Sequence, residues 1–342
     1  MKKYLLQLAE RESFSETQMQ EVVDFILGEE VSESEIAAFL MGLKSKGETV
    51  EEITGIVKAM KANTVTFKKK FSGVLDNCGT GGDGSSSFNI STTSAFVIAS
   101  AGIPVAKHGN RSVSSKTGSA DVLEYLGINL NLSPERTEDI LHEIGVSFLF
   151  APNVHPKLKK VMTVRKQLKI PTVFNFIGPL TNPMELDYQL LGVYRRDLLP
   201  VFAEVLNKLG RKRATVINGA GYMDEASLQG ENYITILEDG IITNRSFSPE
   251  EVNLPRYDNS CIKGGDSKEN AELLINVLKG EKGAHRDTVL LNSGIGIYTA
   301  GKATTIQNGI EIAREMIDSG AAFEKLKKLI EKTQAVGQKE AI

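Results

Sequence analysis

Between Asp76 and Ser119 the chain gathers the residue types that handle phosphates. The run DNCGTGGDGSSSFNIST places Gly79, Gly81, Gly82 and Gly84 within six positions, shortly after the apolar pair Val74-Leu75. Glycines at this density let a backbone turn tightly and aim consecutive N–H groups at one point, as loops that cradle phosphate oxygens do. The stretch from about Ser91 to Ala101 is rich in Ala, Ser and Thr around Phe96, Val97 and Ile98. It predicts a helix whose N-terminus faces the loop and adds unpaired N–H groups and a field that favours anions. Asp83 lies among these groups, where a carboxylate would repel a bare phosphate. The pattern therefore reads as a site for a phosphate ester carried with a divalent cation; the plainer reading is a glycine-rich turn from strand to helix. It is neither the dinucleotide fingerprint nor the Lys-Ser/Thr loop of nucleotide triphosphatases.

The same stretch closes with KHGNRSVSSKTGS, in which Lys107, Arg111 and Lys116 stand among Ser112, Ser114, Ser115, Thr117 and Ser119. Cations mixed with short hydroxyl donors suit phosphates, although a surface basic loop has the same composition. His108 is either an acid–base residue or a ring that anchors the loop. Asp224-Glu225, past the glycine-containing turn GAGYM, forms a second carboxylate pole. Adjacent acids suit Mg²⁺, which takes hard oxygen ligands and substrate phosphates, provided that the pair faces the glycine loop and is not simply solvated. Ser91 could add a hydroxyl ligand or cap its helix. His142, His155 and His285 lack metal-ligand spacing, which disfavours zinc. Cys78 borders the loop and reads as a packing residue.

Helical periodicity runs from Tyr4 to about Met60, with Ser32 and Glu35 forming a capping box and Gly47 ending that helix. Lys68 to Phe71 reads as a polar linker. Beyond it, short strands alternate with longer helices, the pattern of an α/β domain whose ligands bind past the C-terminal ends of its strands. The predicted strands are Val74-Leu75, Ile103 to Ala106 with KHGN following it, Val146 to Phe150, Leu190 to Tyr194, Thr215 to Asn218 and Thr288 to Leu291. A hairpin is expected around Glu238-Asp239-Gly240. Ser119 is read as the cap of SADVLEYLG, and Pro134 to Ile144 and Lys157 to Lys169 as helices, the latter carrying Arg165. FNFIGPLTNP, residues 174 to 183, reads as an ordered connection. Two long helices are expected to end near Val336.

At 342 residues the chain has room for two domains. Its 41% hydrophobic and 24% charged residues are ordinary for a globular protein, and a net charge of −3 recommends neither nucleic acid nor an anionic membrane as partner. The opening MKKYLLQLAERESF is not expected to be a signal peptide, and no stretch has the length of a membrane helix. Only Cys78 and Cys261 are present, which fits a cytoplasmic location.

Taken together, GTGGD, NIST, KHGN, FNFIGPLTNP, the Asp224-Glu225 pair and the helical N-terminus closely resemble the anthranilate phosphoribosyltransferase family, from about residue 5 to about residue 330. The resemblance implies a nucleoside phosphorylase/phosphoribosyltransferase-like α/β fold. A helical N-terminal domain, 1–67, would be completed by helices from about 165–190. The α/β domain with a central mixed sheet would span 72–336. The reaction implied is transfer of a phosphoribosyl group from 5-phosphoribosyl 1-pyrophosphate to anthranilate in the tryptophan branch. Gly79, Gly82, Asp83, Asn89, Ser91 and Thr92 would hold the diphosphate, with a hydroxyl retained at Ser87 where relatives commonly carry threonine. Lys107 and Ser119 would reach the phosphoribosyl substrate, and Asn110 and Arg165 would contact anthranilate. Ile90, Arg111 and Ser115 complete the expected substrate-binding set, with Lys107, His108 and Arg165 as its catalytic members. Ser91, Asp224 and Glu225 would hold two Mg²⁺ ions per subunit. A homodimer joined through the helical domains is implied, and association with a glutamine amidotransferase subunit of anthranilate synthase is left open.

The chain departs from the family pattern at Asn218, where histidine is frequent, and at Lys157, where a small residue is usual. The rival readings are a pyrimidine nucleoside phosphorylase, which would act without Mg²⁺, and a non-catalytic relative that binds nucleic acid in a salt-dependent way. Lys69 and Gly178 are the hinge candidates for closure between the domains.

Overall fold

The computed structural model of the chain describes residues 1–28, 30–111 and 117–334. Four helices open it: α1 Lys2–Ala9, α2 Glu16–Leu27, α3 Glu33–Lys46 and α4 Val50–Ala62. Capping boxes start three of them, pairing Ser15 with Gln18, Ser32 with Glu35 and Thr49 with Glu52, so the first N–H groups of each helix find partners locally.

After a linker come β1 Leu75–Asp76, α5 Ile90–Ser100, β2 Val105–Gly109, α6 Ser119–Tyr125, α7 Pro134–Ile144, β3 Val146–Phe150, α8 Ala151–Val154, α9 Lys159–Leu168 and β4 Tyr188–Gly192. The chain continues through α10 Leu199–Lys208, β5 Arg213–Asn218, β6 Asn232–Glu238 and β7 Ile241–Phe247. It ends in α11 Ser267–Leu278, α12 Ala284–Thr299, α13 Ile306–Asp318 and α14 Ala321–Gln334.

The strands form one seven-stranded mixed sheet in the order β3-β2-β1-β4-β5-β6-β7. The five from β3 to β5 in that order are parallel, and β6 and β7 add an antiparallel hairpin. From β1 the chain first builds outward through β2 and β3, then returns to the opposite side as β4. A crevice opens at such a switch point. The bundle's apolar faces do not close on themselves. Phe39, Leu40, Ile53 and Ile56 share one buried cluster with Val161 and Val164 of α9, with Phe176 and Leu180 of the connection before β4, and with Leu191 and Phe202. A second large cluster packs α5, α11, α12, α13 and α14 against the sheet.

Three expectations are corrected. Thr288 to Leu291 lies inside α12, so three helices close the described chain where two were expected. Val289, Leu290, Leu291, Ile295 and Ile297 are all fully buried. A helix buried on every side loses the amphipathic period, and its apolar core then reads like a short buried strand. Lys107, His108 and Gly109 belong to β2 itself and pair with Phe148, Leu149 and Phe150 of β3. The charged pair hid the strand, yet the sheet tolerates it because Asp76 Oδ1 accepts the His108 N–H at 3.2 Å and the Asn77 carbonyl accepts from Lys107 Nζ at 3.0 Å. Ser119 is the first residue of α6; Gly118 is the N-cap, and its N–H is taken by the Asp121 carboxylate at 2.8 Å.

Candidate active site

The glycine loop is pinned at both ends. Thr80 donates its N–H to the Gly192 carbonyl at 2.9 Å, fixing the loop on the end of β4. Gly81, Gly82 and Gly84 then adopt φ of 66°, 79° and 73°, a region that side chains disfavour, and the chain reverses toward α5. Gly81 donates to Asp224 Oδ2 at 2.6 Å, Asp224 donates its own N–H to Asp83 Oδ2 at 3.4 Å, and Ser91 N–H reaches Glu225 Oε1 at 3.2 Å. The segment after β5 thus faces both the loop and the N-terminus of α5. Glycine at the ends of β4 and β5 makes this approach feasible, since a Cβ on Gly192 would overlap the Asp224 carbonyl and one on Gly219 the Glu225 carbonyl.

Three carboxylates in so confined a place oppose one another. Burial first, and then repulsion from Asp83 and Glu225, hold the Asp224 carboxyl well above its ordinary range. Burial pushes Glu225 up to about 7, opposed by Lys107 and by the Ser91 hydroxyl. Lys107 is only 2% exposed and is the buried cation that faces this acidic pole. A divalent cation would relieve the same repulsion, and the donors (carboxylates and a serine hydroxyl) are the hard oxygens that Mg²⁺ takes. Among the described residues no group of three or more His, Cys, Asp or Glu forms a closed metal cage. An open set of ligands, completed by substrate phosphates, is the usual Mg²⁺ arrangement.

Around this centre the remaining candidates divide. Asn89 is the N-cap residue of α5 and its Oδ1 accepts from Asn270 Nδ2 at 2.9 Å, while Ile90 and Thr92 are buried in the first turn. Gly79 abuts Asp224 so closely that a Cβ would strike its carboxylate. Ser87 pairs with Lys263 in an isolated antiparallel bridge. Ser119 Oγ donates to the Asn110 carbonyl at 3.2 Å, which ties the start of α6 to the end of β2. Asn110 is exposed. Arg111 is held by Asp121 at 2.9 Å and Glu124 at 2.8 Å. Ser115, with Ser112, Ser114 and Lys116, lies outside the described residues.

Arg165 sits on α9 with its guanidinium 5.6 Å from the centre of the Phe174 ring and 3.4 Å from Asn175 Oδ1. Burial lowers its pKa, and among the described residues it has no carboxylate partner. His108 is buried, its Nδ1 lies 3.1 Å from the Gly178 carbonyl, and burial holds its pKa down to about 3. It is an uncharged ring at neutral pH. Burial pushes the Cys78 thiol well above its ordinary range, as befits a packing residue. The two departures also find explanations. Asn218 Nδ2 donates to the Val193 carbonyl at 2.8 Å and its Oδ1 accepts from Arg196 at 2.9 Å, which secures the end of β5. Lys157 reaches Asn63 Oδ1 at 2.7 Å, just past the end of α4.

Sequence reasoning gave no role to several residues that build this site. Asn182 donates to Asp76 Oδ2 at 2.9 Å and to the Ala106 carbonyl at 2.8 Å, joining the connection before β4 to β1 and β2. Residues 262 to 264 run along the loop, with Phe88 N–H donating to the Ile262 carbonyl and Gly264 N–H to the Ser86 carbonyl. The signal available for Gly192 and Gly219 was a glycine directly ending, or directly following, an apolar strand.

The family models described as "Glycosyl transferase family, a/b domain" and "Glycosyl transferase family, helical bundle domain" match residues 72–323 and 2–64. The chain is 53% identical to anthranilate phosphoribosyltransferases of Bacillus mycoides and Bacillus anthracis over 96% of its own length and 97% of theirs. Its structure is similar to that of the Thermus thermophilus anthranilate phosphoribosyltransferase, with a TM-score of 0.92 and 39% identity over 97% of this chain and 99% of that one. The Saccharomyces cerevisiae enzyme in complex with PRPP and Mg superposes with a TM-score of 0.89 at 25% identity, covering 97% of both chains. With this similarity extending over nearly its whole length, the chain belongs to the anthranilate phosphoribosyltransferase family.

Proposed function

We propose that this chain transfers the phosphoribosyl group of 5-phosphoribosyl 1-pyrophosphate to the amino nitrogen of anthranilate, in tryptophan biosynthesis and in a Mg²⁺-dependent manner. The observation that carries the reading is the double link of Asp224 to Gly81 and of Glu225 to Ser91, which joins the glycine loop, the α5 N-terminus and the acid pair into one site. The solved yeast relative described as bound to PRPP and Mg supports the same choice of ligands.

In this reaction the bond from ribose C1 to the pyrophosphate oxygen breaks as the anthranilate nitrogen bonds to C1 from the opposite face, and the amine loses a proton to solvent. Negative charge gathers on the leaving group while the sugar becomes oxocarbenium-like. The N–H groups of the glycine loop and of the Asn89 to Thr92 turn would hold the diphosphate where that charge develops. Lys107 would add a fixed cation, and Ser119 would contact the phosphoribosyl group. Ser91, Asp224 and Glu225 would hold Mg²⁺, which supplies electrostatic stabilisation of the departing diphosphate when bound. Arg165 would take the anthranilate carboxylate in its planar fork, and Asn110 would also contact anthranilate. We assign His108 an anchoring role, since its neutral ring and its bond to Gly178 suit positioning better than proton transfer.

We further place the protein in the cytoplasm, on its two free cysteines. We read it as a homodimer, on the exposed apolar side chains of Leu6, Phe25 and Met41 on the first three helices. Among the described residues no helix is long and apolar enough to cross a membrane.

The test is pyrophosphate release from 5-phosphoribosyl 1-pyrophosphate and anthranilate, with the product identified by mass as the N-ribosylated amine. Release that needs both anthranilate and Mg²⁺ is expected. Release at the same rate after chelation would remove the metal from the reading, and no release would remove the reaction.

A further inference from the structure

Away from this site, the segment between α4 and β1 lines an open cavity of about 240 Å³. Four lysines line it, Lys61, Lys68, Lys69 and Lys70, against a single carboxylate, that of Glu185. Two of the four are spent elsewhere, Lys68 on Glu135 at 3.5 Å and Lys69 on Asp139. Lys70 makes no ion pair among the described residues. Lys61 is the unusual member. It extends from the last turn of α4, donates to the Met184 carbonyl at 3.3 Å and has no carboxylate within ion-pair distance among the described residues. Burial and the nearby Arg211 push its pKa down to about 8, against the weaker pull of Glu185. Arg211 is itself buried and has its own counter-charges in Asp76 and Asp187, so it leaves Lys61 the buried cation at this cavity without a paired carboxylate among the described residues.

A buried cation such as Lys61 with no carboxylate at ion-pair distance is costly, and the cost falls when an anion arrives. The remaining walls are of another kind. Phe67, Phe71 and Met184 present apolar surface. A cavity with two uncommitted ammonium groups at an aromatic wall selects a dianion that carries an apolar body.

We propose that the cavity between α4 and β1 binds a small phosphate monoester with an apolar body, its dianionic head drawn by Lys61 and Lys70 and its body lying against Phe67 and Phe71. The ligand would be separate from the substrates of the site on the glycine loop. Both the linker and the segment Pro183 to Glu185 wall the cavity, and the latter directly follows Asn182, which bonds Asp76 and the Ala106 carbonyl. An occupant therefore braces the junction between the helical bundle and the sheet.

The experiment is calorimetric titration of the full chain with phenyl phosphate, with phenylacetate and benzyl alcohol as monoanionic and neutral probes. Wild type is compared with Lys61→Met, Lys70→Ala and Lys107→Met. The proposal expects a class of phenyl phosphate sites that is weakened tenfold or more by Lys61→Met and at least threefold by Lys70→Ala, and that survives Lys107→Met. Phenylacetate should bind this class less tightly and benzyl alcohol not at all. Should Lys61→Met fail to fold, Lys70→Ala decides, because that side chain is exposed. Phenyl phosphate binding that is unchanged in the Lys61 and Lys70 variants, or lost only in Lys107→Met, would place the anion at the glycine loop and overturn the proposal.

Discussion

Gly81 donates its backbone N–H to Asp224 Oδ2 at 2.6 Å, across a sequence separation of 143 residues. That bond defines where the glycine loop sits relative to the acid pair, and it can form only because the end of β4 carries no side chain. A Cβ at Gly192 would fall on the Asp224 carbonyl, which is backbone and cannot rotate away. Gly192→Ala should therefore cost about 1–3 kcal/mol of stability, as overpacking does, and should lower kcat/KM by a larger factor than the stability loss explains. Denaturant unfolding together with steady-state kinetics checks both. Unchanged kinetics in a folded Gly192→Ala protein would mean that this approach does not matter to the site.

Arg165 offers a guanidinium without a carboxylate partner among the described residues, beside Phe174 and Asn175. If it receives the anthranilate carboxylate, Arg165→Met should raise KM for anthranilate by about 10–100-fold, the worth of a charge-assisted pair of about 1.5–3 kcal/mol. KM for the phosphoribosyl donor should stay within a factor of two to three. Lysine at this position should restore only part of the loss, because it lacks the planar fork. The two KM values, measured separately, distinguish this role from general damage.

On mild acidification the contribution of His155 should weaken the fold. Its ring is buried and its pKa is held down to about 4 by desolvation, whereas in the unfolded chain it titrates near its ordinary value of 6.5. Below 6.5 the unfolded chain takes up a proton that the folded chain refuses, so stability falls as the pH drops toward 4. Between pH 7 and pH 5 the loss is about 2 kcal/mol. His108 has the same sign. Asp76, raised to about 6 by burial, has the opposite one, since between about 4 and 6 it stays protonated only in the folded chain and favours folding more at the lower pH. Comparing urea unfolding of wild type and His155→Gln at pH 7 and pH 5 isolates the histidine: the variant should lose less on acidification. An equal loss in both proteins would contradict the assignment.

The amphipathic helices of the bundle, the capping box at Ser32 and the α7 and β3 boundaries were legible because each rests on local signals. The same holds for the glycine loop and the helix that follows it. What escaped was nonlocal. Lys107 and His108 look like loop residues until Asp76 and Asn77 supply their partners from the neighbouring strand. Asn182 was quoted within a motif and given no task, because nothing local says that it bridges β1 and β2. The acid pair's position opposite Ser91 came from family resemblance; spacing alone left it open. Conversely, α12 was lost because burial on all sides erased its period.

That last error supplies a stability prediction. Gly309 of α13 lies so close to α12 that a Cβ would overlap the Gly294 carbonyl. Gly309→Val should destabilise the fold by about 1–3 kcal/mol through overpacking. At saturating substrate below the unfolding transition, kcat should remain within about twofold of wild type. A thermal melt and one saturated rate suffice, and an unchanged melting temperature would show that α12 and α13 have room to spare.

The most direct test of the central assignment is the fluorescence-monitored consumption of anthranilate by the wild-type protein and by Asp224→Asn/Glu225→Gln, each with 5-phosphoribosyl 1-pyrophosphate, with and without Mg²⁺. The account predicts Mg²⁺-dependent loss of anthranilate matched by pyrophosphate in the wild type, and a fall of at least a hundredfold in a variant that remains folded by circular dichroism. Wild-type protein that consumes no anthranilate, or a folded double variant that consumes it at the wild-type rate, would contradict it.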